Sequence, residues 1–209
     1  MKVWAIVVAA GRGERFGAPK QFLELAGRRV VDRAVDAVAA ADGIVVALPD
    51  EVSWDGPEVA ATVVGGATRS ESVRAGLEAC PADAGILVVH DAARALAPPR
   101  LFDRVVAAVV AGADGAVPGV VLSDTVKRVA GGVVTETLDR ADLVASQTPQ
   151  AFRAPVLRAA HAPEPGATDD AALVEAAGGT IMVVQGDPVN MKLTTESDLA
   201  VAGALLRLR

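Results

Sequence analysis

The chain has 209 residues, 52% of them hydrophobic, and a formal net charge of −6. This composition excludes a disordered chain, and the acidic balance leaves no basic surface of the kind that binds nucleic acid. The sequence has no stretch near the roughly 18 apolar residues of a membrane span, so we expect no membrane contact.

The first predicted element is a buried strand, VWAIVVA at residues 3–9. A glycine-rich segment, GRGERFGAPKQF, follows at 11–22 and carries Arg15 and Lys20. It does not match a dinucleotide-binding turn, because its third glycine comes one residue late, nor a P-loop, because Lys20 is not followed by Ser or Thr. What remains is a turn whose backbone N–H groups can approach phosphates, beside two cations that can neutralise charge on a transferring phosphoryl group.

Apolar runs and helical patterns alternate along the rest of the chain. Further strands are predicted at 43–49, 61–65, 85–90, 115–120 and 180–185, and helices at 28–41, 68–80, 98–112, 168–179 and 196–209. This alternation predicts a three-layer, mostly parallel, Rossmann-like α/β sheet, in which ligands bind at the carboxyl ends of the strands.

Residues 123–140 alternate polar and apolar side chains around Gly131 and Gly132, which predicts a β-hairpin with a tight turn. An isolated two-stranded hairpin is marginally stable in water and needs a surface to lie against. We therefore expect one domain over residues 1–209, with residues 121–142 as a projecting β-arm that is buried against a second subunit in a homodimer.

Cysteine and histidine are scarce in this sequence. Cys80 is the one cysteine and cannot form an intramolecular disulfide, and no Cys and His cluster has the spacing of a zinc site. We interpret Cys80 as a small buried side chain and His90 as a buried histidine with a hydrogen-bond partner. His161 is assigned no role. The cysteine usage is typical of a reducing compartment, so we expect a cytoplasmic protein.

Eight motifs then occur in order along nearly the whole chain. They are AAGRGERFGAPKQF, GGATRSESVRAGL, VHDAAR, DTVKR, LDR, QTPQAF, TDDAALVE and NMKLTTESDL. The first resembles the signature loop of nucleotidyltransferases, and the ordered set resembles the 2-C-methyl-D-erythritol 4-phosphate cytidylyltransferase family. The resemblance implies a nucleotidyltransferase that moves CMP from CTP to this polyol phosphate, releases pyrophosphate, uses Mg²⁺ as its cofactor and acts in the non-mevalonate isoprenoid pathway.

Two alternatives stay open. Cytidylyltransferases for ribitol 5-phosphate or related polyol phosphates share most of these motifs, and an inactive nucleotide-binding regulator could use the same sheet. The presence of both Arg15 and Lys20 argues against a regulator, because binding alone does not need cations at the transition state. A metal-dependent glycosyltransferase is disfavoured because the sequence has no Asp-x-Asp.

The resemblance also implies roles at the nucleotide. Arg15 and Lys20 would be the catalytic cations that brace the α-phosphate. The nucleotide would be bound by residues of the first two motifs, which are Ala9, Ala10, Gly11, Gly13, Gly65, Gly66 and Ser72. Of these, the last three fall where the family reads cytosine and the nearby ribose. The hydroxyls of Thr68 or Ser70 have the alternative role of a helix N-cap.

The polyol substrate would be bound by two groups of residues. The resemblance implies that Asp91, Arg94 and Lys192 act within one chain, with Asp91 at the hydroxyls close to the metal and Arg94 at the phosphate. Lys192 would approach either the substrate or the triphosphate. Thr125 and Arg140, at the base of the arm, would reach into the substrate pocket of the neighbouring subunit.

Two departures from the family pattern are visible. Ala95 stands where the family commonly has proline, which leaves the loop that carries Arg94 less rigid. Val144 and Ala145 are small and apolar where the family often has an aromatic side chain. Neither departure removes a charged group.

Overall fold

The secondary structure follows the predicted alternation of strands and helices. A computed structural model describes residues 1–11, 13, 19–162, 166–167 and 169–208. Its strands are β1 (Val3–Val8), β2 (Glu24–Leu25), β3 (Arg28–Arg29), β4 (Gly43–Leu48), β5 (Ala61–Val64), β6 (Ile86–Asp91), β7 (Gly115–Val121), β8 (Val126–Ala130), β9 (Val133–Leu138), β10 (Val144–Ser146), β11 (Gln150–Arg153) and β12 (Ile181–Gln185). Its helices are α1 (Val30–Asp36), α2 (Arg69–Ala79), α3 (Pro99–Val110), α4 (Ala154–His161), α5 (Asp170–Ala176) and α6 (Glu196–Arg207).

Eight strands form one central sheet in the order β10-β7-β11-β6-β1-β4-β5, with β12 also paired to β7. The pairs β1–β4, β1–β6, β4–β5 and β7–β12 are parallel, and β10 and β11 pair antiparallel with their neighbours. From β1 the chain runs to β4 and β5 on one side, and it then returns through α2 to β6 on the other side. The strand order therefore reverses between β1 and β6, and such a switch point leaves a crevice at the carboxyl ends of the strands.

Helices cover both faces of this sheet, which explains why its central strands are mostly apolar. Ala5 and Val7 of β1 belong to a core cluster shared with α1 and α3, whereas Ile6 belongs to a second cluster shared with α2, α4 and α5. Neighbouring residues of a strand point to opposite faces, so one apolar run contributes to both cores. A third, smaller cluster joins Leu25 and Leu193 to α6.

The prediction of a three-layer, mostly parallel α/β sheet is confirmed, but several elements differ from those predicted. The helix predicted at 28–41 spans only Val30–Asp36. It begins later because Arg28 and Arg29 pair with β2, and residues 37–40 form turns at its other end. The sequence patterns assigned no element to residues 147–161, which contain β11 and α4. Strand β11 has four residues, and its place depends on pairing with β6 and β7 far away in the chain, which a local pattern does not reveal.

The predicted hairpin is present as β8 and β9, which pair antiparallel as a separate two-stranded sheet. Gly131 and Gly132 form its turn with φ of 56° and 80°, in the left-handed region that glycine adopts without strain. Val129, Val133 and Val134 on this ribbon are each more than half exposed. Its role as a dimerisation arm stays a prediction. In the part of the chain that the structure describes, no helix is long and apolar enough to cross a membrane.

Candidate active site

A pocket of about 510 Å³ lies at the carboxyl ends of β1 and β6, at the switch point of the sheet. Its walls come from four parts of the chain: the end of β1 with the glycine loop, the start of α2, the end of β6, and the segment before α6. The described residues that line it are Val8, Ala9, Ala10, Gly11, Gly13, Lys20, Gln21, Gly66, Ala67, Thr68, Arg69, Ser72, Asp91, Ala92, Ala93 and Lys192. Nine of these residues are site residues expected from the sequence, so the pocket brings most of the predicted site together.

The glycine loop forms one wall of the pocket. The Nε2 group of the buried Gln21 donates to the carbonyl oxygens of Ala9 and Gly11, at 2.7 Å each. The N–H of Ala9 donates to the carbonyl of Ala47 on β4, so both polar backbone groups of Ala9 are bound within the protein. Lys20 lines the same wall from a short 3-10 turn, Lys20–Phe22. The other predicted catalytic cation, Arg15, lies outside the described residues.

The start of α2 forms the facing wall. Thr68 is the N-cap, and its side chain forms a capping box with Glu71, which confirms the helix-capping role considered for it. The Ser72 hydroxyl, one turn into the helix, donates to the Thr68 carbonyl at 3.0 Å and lines the pocket. Ser70 does not cap the helix, because its hydroxyl donates to the carbonyl of Ala167 at 3.1 Å.

Gly65 and Gly66 precede α2 where a side chain has no room. A Cβ on Gly65 would lie 2.2 Å from the Cβ of Ala10, and one on Gly66 would lie 2.2 Å from the Cβ of Glu71. Gly66 lines the pocket, whereas Gly65 lies behind it and allows the glycine loop to approach α2 closely.

Asp91, the last residue of β6, lies on the pocket floor between two cations. Its Oδ2 accepts from Lys192 Nζ at 2.7 Å, and its Oδ1 accepts from Arg69 Nε at 3.1 Å. Burial acts to raise the pKa of this carboxyl, but the charges of Arg69 and Lys192 outweigh burial and hold the pKa well below its usual range. Asp91 is therefore an ionised carboxylate at every pH near neutrality.

The sequence analysis gave Arg69 no role, but this side chain connects the pocket to a buried ion-pair network. Besides Asp91, it contacts the Asp170 carboxylate at 2.7 Å, and the other oxygen of Asp170 lies 3.0 Å from His161 Nε2. Asp170 and His161 are 1% and 2% exposed. Burial opposes the charged form of Arg69, but the two carboxylates raise its pKa above its usual value. Its place in GGATRSES was visible in the sequence, whereas its partners on other elements were not.

Arg94, predicted to bind the substrate phosphate, does not line the pocket. Its guanidinium donates to the carbonyl oxygens of Asn190 at 2.8 Å and Ser146 at 3.3 Å, and burial lowers its pKa. The adjacent Ala95 is 6% exposed and belongs to the cluster under α6. In this structure Arg94 joins β10 to the segment that carries Lys192, and its contact with substrate stays a prediction.

Thr125 and Arg140 lie outside the pocket of their own chain. Both are exposed, and Arg140 donates to the Ser123 carbonyl at the base of the hairpin. Their action on a neighbouring subunit stays a prediction.

The interpretations of His90 and Cys80 agree with the structure. His90 is buried, and its Nδ1 lies 2.9 Å from the hydroxyl oxygen of Thr148, which also accepts from the Asp91 N–H. Burial lowers the pKa of His90 to about 3, so the ring is neutral at physiological pH. Cys80 is buried, and burial raises the pKa of its thiol to about 11, which makes it a poor nucleophile.

Three comparisons relate this chain to known proteins. The sequence model of the family described as "IspD: 2-C-methyl-D-erythritol 4-phosphate cytidylyltransferase" matches residues 3–208. Among curated proteins, 2-C-methyl-D-erythritol 4-phosphate cytidylyltransferases of Nocardia farcinica and Rhodococcus jostii are 51% and 44% identical to this chain, over 99% and 98% of it and 95% of each relative. The crystal structure of the Thermus thermophilus protein of that name has a TM-score of 0.85 at 33% identity, and the match covers 97% of this chain and 98% of that one.

Proposed function

Because the chain belongs to the 2-C-methyl-D-erythritol 4-phosphate cytidylyltransferase family, we propose that the pocket binds CTP and the polyol phosphate side by side and assign roles to its residues. The protein is a nucleotidyltransferase that transfers CMP from CTP to 2-C-methyl-D-erythritol 4-phosphate. It releases pyrophosphate and forms 4-diphosphocytidyl-2-C-methyl-D-erythritol. The family favours this activity over the ribitol 5-phosphate alternative. The observation that carries the proposed roles is the arrangement of Lys20 and the Asp91–Lys192 ion pair in one pocket.

The glycine loop binds the triphosphate. The backbone of Ala10, Gly11 and Gly13 surrounds the phosphates, and Lys20 contacts the α-phosphate, where negative charge increases in the transition state. Lys20 lines the same pocket as the loop, which supports this role. Arg15 belongs to the same motif and shares the role in our proposal.

Ser72 selects cytosine. Because its hydroxyl proton is donated to the Thr68 carbonyl, the lone pairs of the oxygen are the groups left for a base in the pocket. The exocyclic amine of cytosine is a donor at the position where uracil has an acceptor. A hydroxyl oxygen with its proton committed elsewhere therefore prefers cytosine.

Asp91 and Lys192 bind the polyol phosphate. The Asp91 carboxylate accepts hydrogen bonds from the hydroxyl groups of the substrate, and Lys192, 41% exposed in its side chain, places an ammonium group where the phosphate approaches. The substrate phosphate is itself the nucleophile, since a phosphate monoester is largely a dianion at neutral pH. One of its oxygens attacks the α-phosphorus of CTP in line, the bond to the β-phosphate oxygen breaks, and pyrophosphate leaves with that electron pair.

Mg²⁺ is the divalent metal that we propose for this reaction. Among the described residues, no three His, Cys, Asp or Glu side chains gather into a metal site, and Asp91 is the one carboxylate in the described lining of the pocket. Mg²⁺ commonly binds one or two carboxylates together with substrate phosphates, so this donor set fits an ion held mainly by the triphosphate, with Asp91 as its protein ligand. When bound, the ion neutralises charge on the phosphates.

The hairpin is proposed as the dimerisation arm of a one-domain cytoplasmic enzyme. Val129, Val133 and Val134 are exposed on an isolated two-stranded ribbon, and such a ribbon is more stable when its apolar side chains are buried. In a twofold dimer, each subunit buries the ribbon of the other. Thr125 and Arg140 of one subunit then complete the substrate pocket of the other. The single cysteine of the sequence is typical of a reducing compartment, which supports the cytoplasm.

Isotope transfer tests this mechanism directly. The enzyme is given CTP and 2-C-methyl-D-erythritol 4-phosphate labelled with ¹⁸O in its non-bridging phosphate oxygens, and both products are examined by mass spectrometry. Attack by the substrate phosphate keeps all the label in the cytidylyl product and none in pyrophosphate. Loss of label from the cytidylyl product would contradict the mechanism, because it would mean that a substrate oxygen had been exchanged.

A further inference from the structure

Gln21 is a buried residue of the pocket wall whose side chain connects two separate parts of that wall. It is 4% exposed, and its single Nε2 group donates at 2.7 Å to both Ala9 and Gly11 in the glycine loop. Gln21 itself belongs to the 3-10 turn Lys20–Phe22. One amide group therefore fixes the distance between the glycine loop and the turn that carries Lys20.

The two bonds also determine which backbone groups of the loop face the pocket. In a trans peptide unit the C=O of one residue and the N–H of the next point in opposite directions. Since the Ala9 carbonyl points to Gln21, the N–H of Ala10 points the other way, and Ala10 lines the pocket. Carbonyl oxygens repel a triphosphate and N–H groups bind it, so Gln21 removes two repelling groups from contact with the anion.

We propose that Gln21 is a positioning residue for CTP: by holding the carbonyls of Ala9 and Gly11, it orients the loop donors toward the triphosphate and sets Lys20 against the α-phosphate. This inference rests on the proposed function, in that the anion is the triphosphate of CTP. Gln21 touches no reacting atom and acts through the loop and through Lys20.

The variant Gln21→Met tests the proposal, because methionine has nearly the same length and no hydrogen-bond donor. We expect the dissociation constant of magnesium CTP, measured by calorimetry, to rise about 10-fold, and kcat to fall about 10-fold or more, since small misplacements of reacting groups have effects of this size. The KM for the polyol phosphate should stay within about twofold. Leu25→Met, a buried change in the same segment outside the pocket lining, is the matched control and should leave all three constants near those of the wild type.

A double-mutant cycle separates positioning from general disturbance. If Gln21 acts through Lys20, Gln21→Met should reduce kcat far less in a Lys20→Ala background than in the wild type. Thermal denaturation checks that each variant is folded, and Gln21→Glu, whose carboxylate only accepts hydrogen bonds, replaces Gln21→Met if that variant does not fold.

Two results overturn the proposal: an unchanged CTP dissociation constant in the folded variant, or an equal loss of kcat in both backgrounds. Because CTP binding is measured without turnover, these results are distinct from a failure of the proposed function. That failure would be a wild-type protein that binds CTP and forms no cytidylyl product.

Discussion

Lys192 Nζ lies 2.7 Å from Asp91 Oδ2, and this ion pair joins residues 101 positions apart in the chain at the floor of the pocket. Arg69 contacts the other oxygen of the same carboxylate, so two cations surround one anion. The pairing lowers the pKa of Asp91. Its contribution to stability is therefore complete above the pKa of an unfolded aspartate, about 3.9, and is lost as the pH falls below that value. A carboxylate whose pKa is held this low carries no proton near neutrality and is a weak base, so we infer that Asp91 binds substrate rather than acting as a general acid or base.

The first prediction concerns the dependence of activity on pH. The nucleophile is the substrate phosphate, whose second pKa is about 6, so kcat/KM for the polyol phosphate should fall with one acidic limb below about pH 6. Asp91→Asn should lower kcat/KM at every pH and leave the position of this limb unchanged. A limb that disappears in Asp91→Asn would show that Asp91 is the titrating group and that the ion pair does not hold it ionised.

The second prediction concerns the choice of base. Ser72→Ala removes the oxygen proposed to accept from the cytosine amine, and it should reduce the preference for CTP over UTP by about 10-fold, the effect of about one hydrogen bond. Ser70→Ala is the matched control, because that hydroxyl bonds to Ala167 instead and its loss should not alter the preference. The measurement is the ratio of kcat/KM for CTP to kcat/KM for UTP. Equal ratios in Ser72→Ala and the wild type would show that Ser72 does not recognise the base.

The third prediction concerns the buried network around Arg69. Arg69→Met leaves Asp170 without its cation at 1% exposure, and breaking a buried pair from one side costs about 3–5 kcal/mol of unfolding free energy. Adding Asp170→Asn should recover part of this loss, since the unpaired charge then disappears. Urea denaturation gives the unfolding free energy of the wild type, Arg69→Met and the double variant. Lys2→Met, at an exposed ion pair, is the control. A loss for Arg69→Met as small as that for Lys2→Met would mean that the network does not stabilise the fold.

The fourth prediction tests the arm. Lys20→Ala should lower kcat about 100-fold, as should Arg15→Ala, and Arg140→Ala should be similarly impaired if Arg140 acts on the neighbouring subunit. Coexpression of Lys20→Ala with Arg140→Ala should restore about a quarter of wild-type activity, because random pairing gives half mixed dimers and each has one intact site. Mixed dimers that form and stay inactive would show that Arg140 does not act across the interface.

Local patterns of the sequence predicted the larger part of the fold, and the family resemblance supplied most of the predicted site residues. The glycine loop and Asp91 each follow a predicted strand, and both lie at the carboxyl edge of the sheet as such positions require. Arg69 could not be assigned from its motif, because its role depends on Asp170, which a separate helix brings to it.

Two elements after the hairpin, β11 and α4, were not predicted from the sequence. Strand β11 is four residues long and is held in the sheet by pairing with β6 and β7. It is too short for its sequence to show the periodicity of a strand. Helix α4 did offer a signal, since Pro155 occupies its first turn and the buried residues Leu157 and Ala160 lie three positions apart, at helical spacing.

The most direct test of the central claim is a comparison of substrates in one assay of pyrophosphate release. The protein is incubated with Mg²⁺, one nucleoside triphosphate, and either 2-C-methyl-D-erythritol 4-phosphate or ribitol 5-phosphate. We predict turnover of 2-C-methyl-D-erythritol 4-phosphate with CTP strongly preferred to ATP, GTP and UTP, and poor turnover of ribitol 5-phosphate. Fast turnover of ribitol 5-phosphate, together with none of 2-C-methyl-D-erythritol 4-phosphate, would contradict the account.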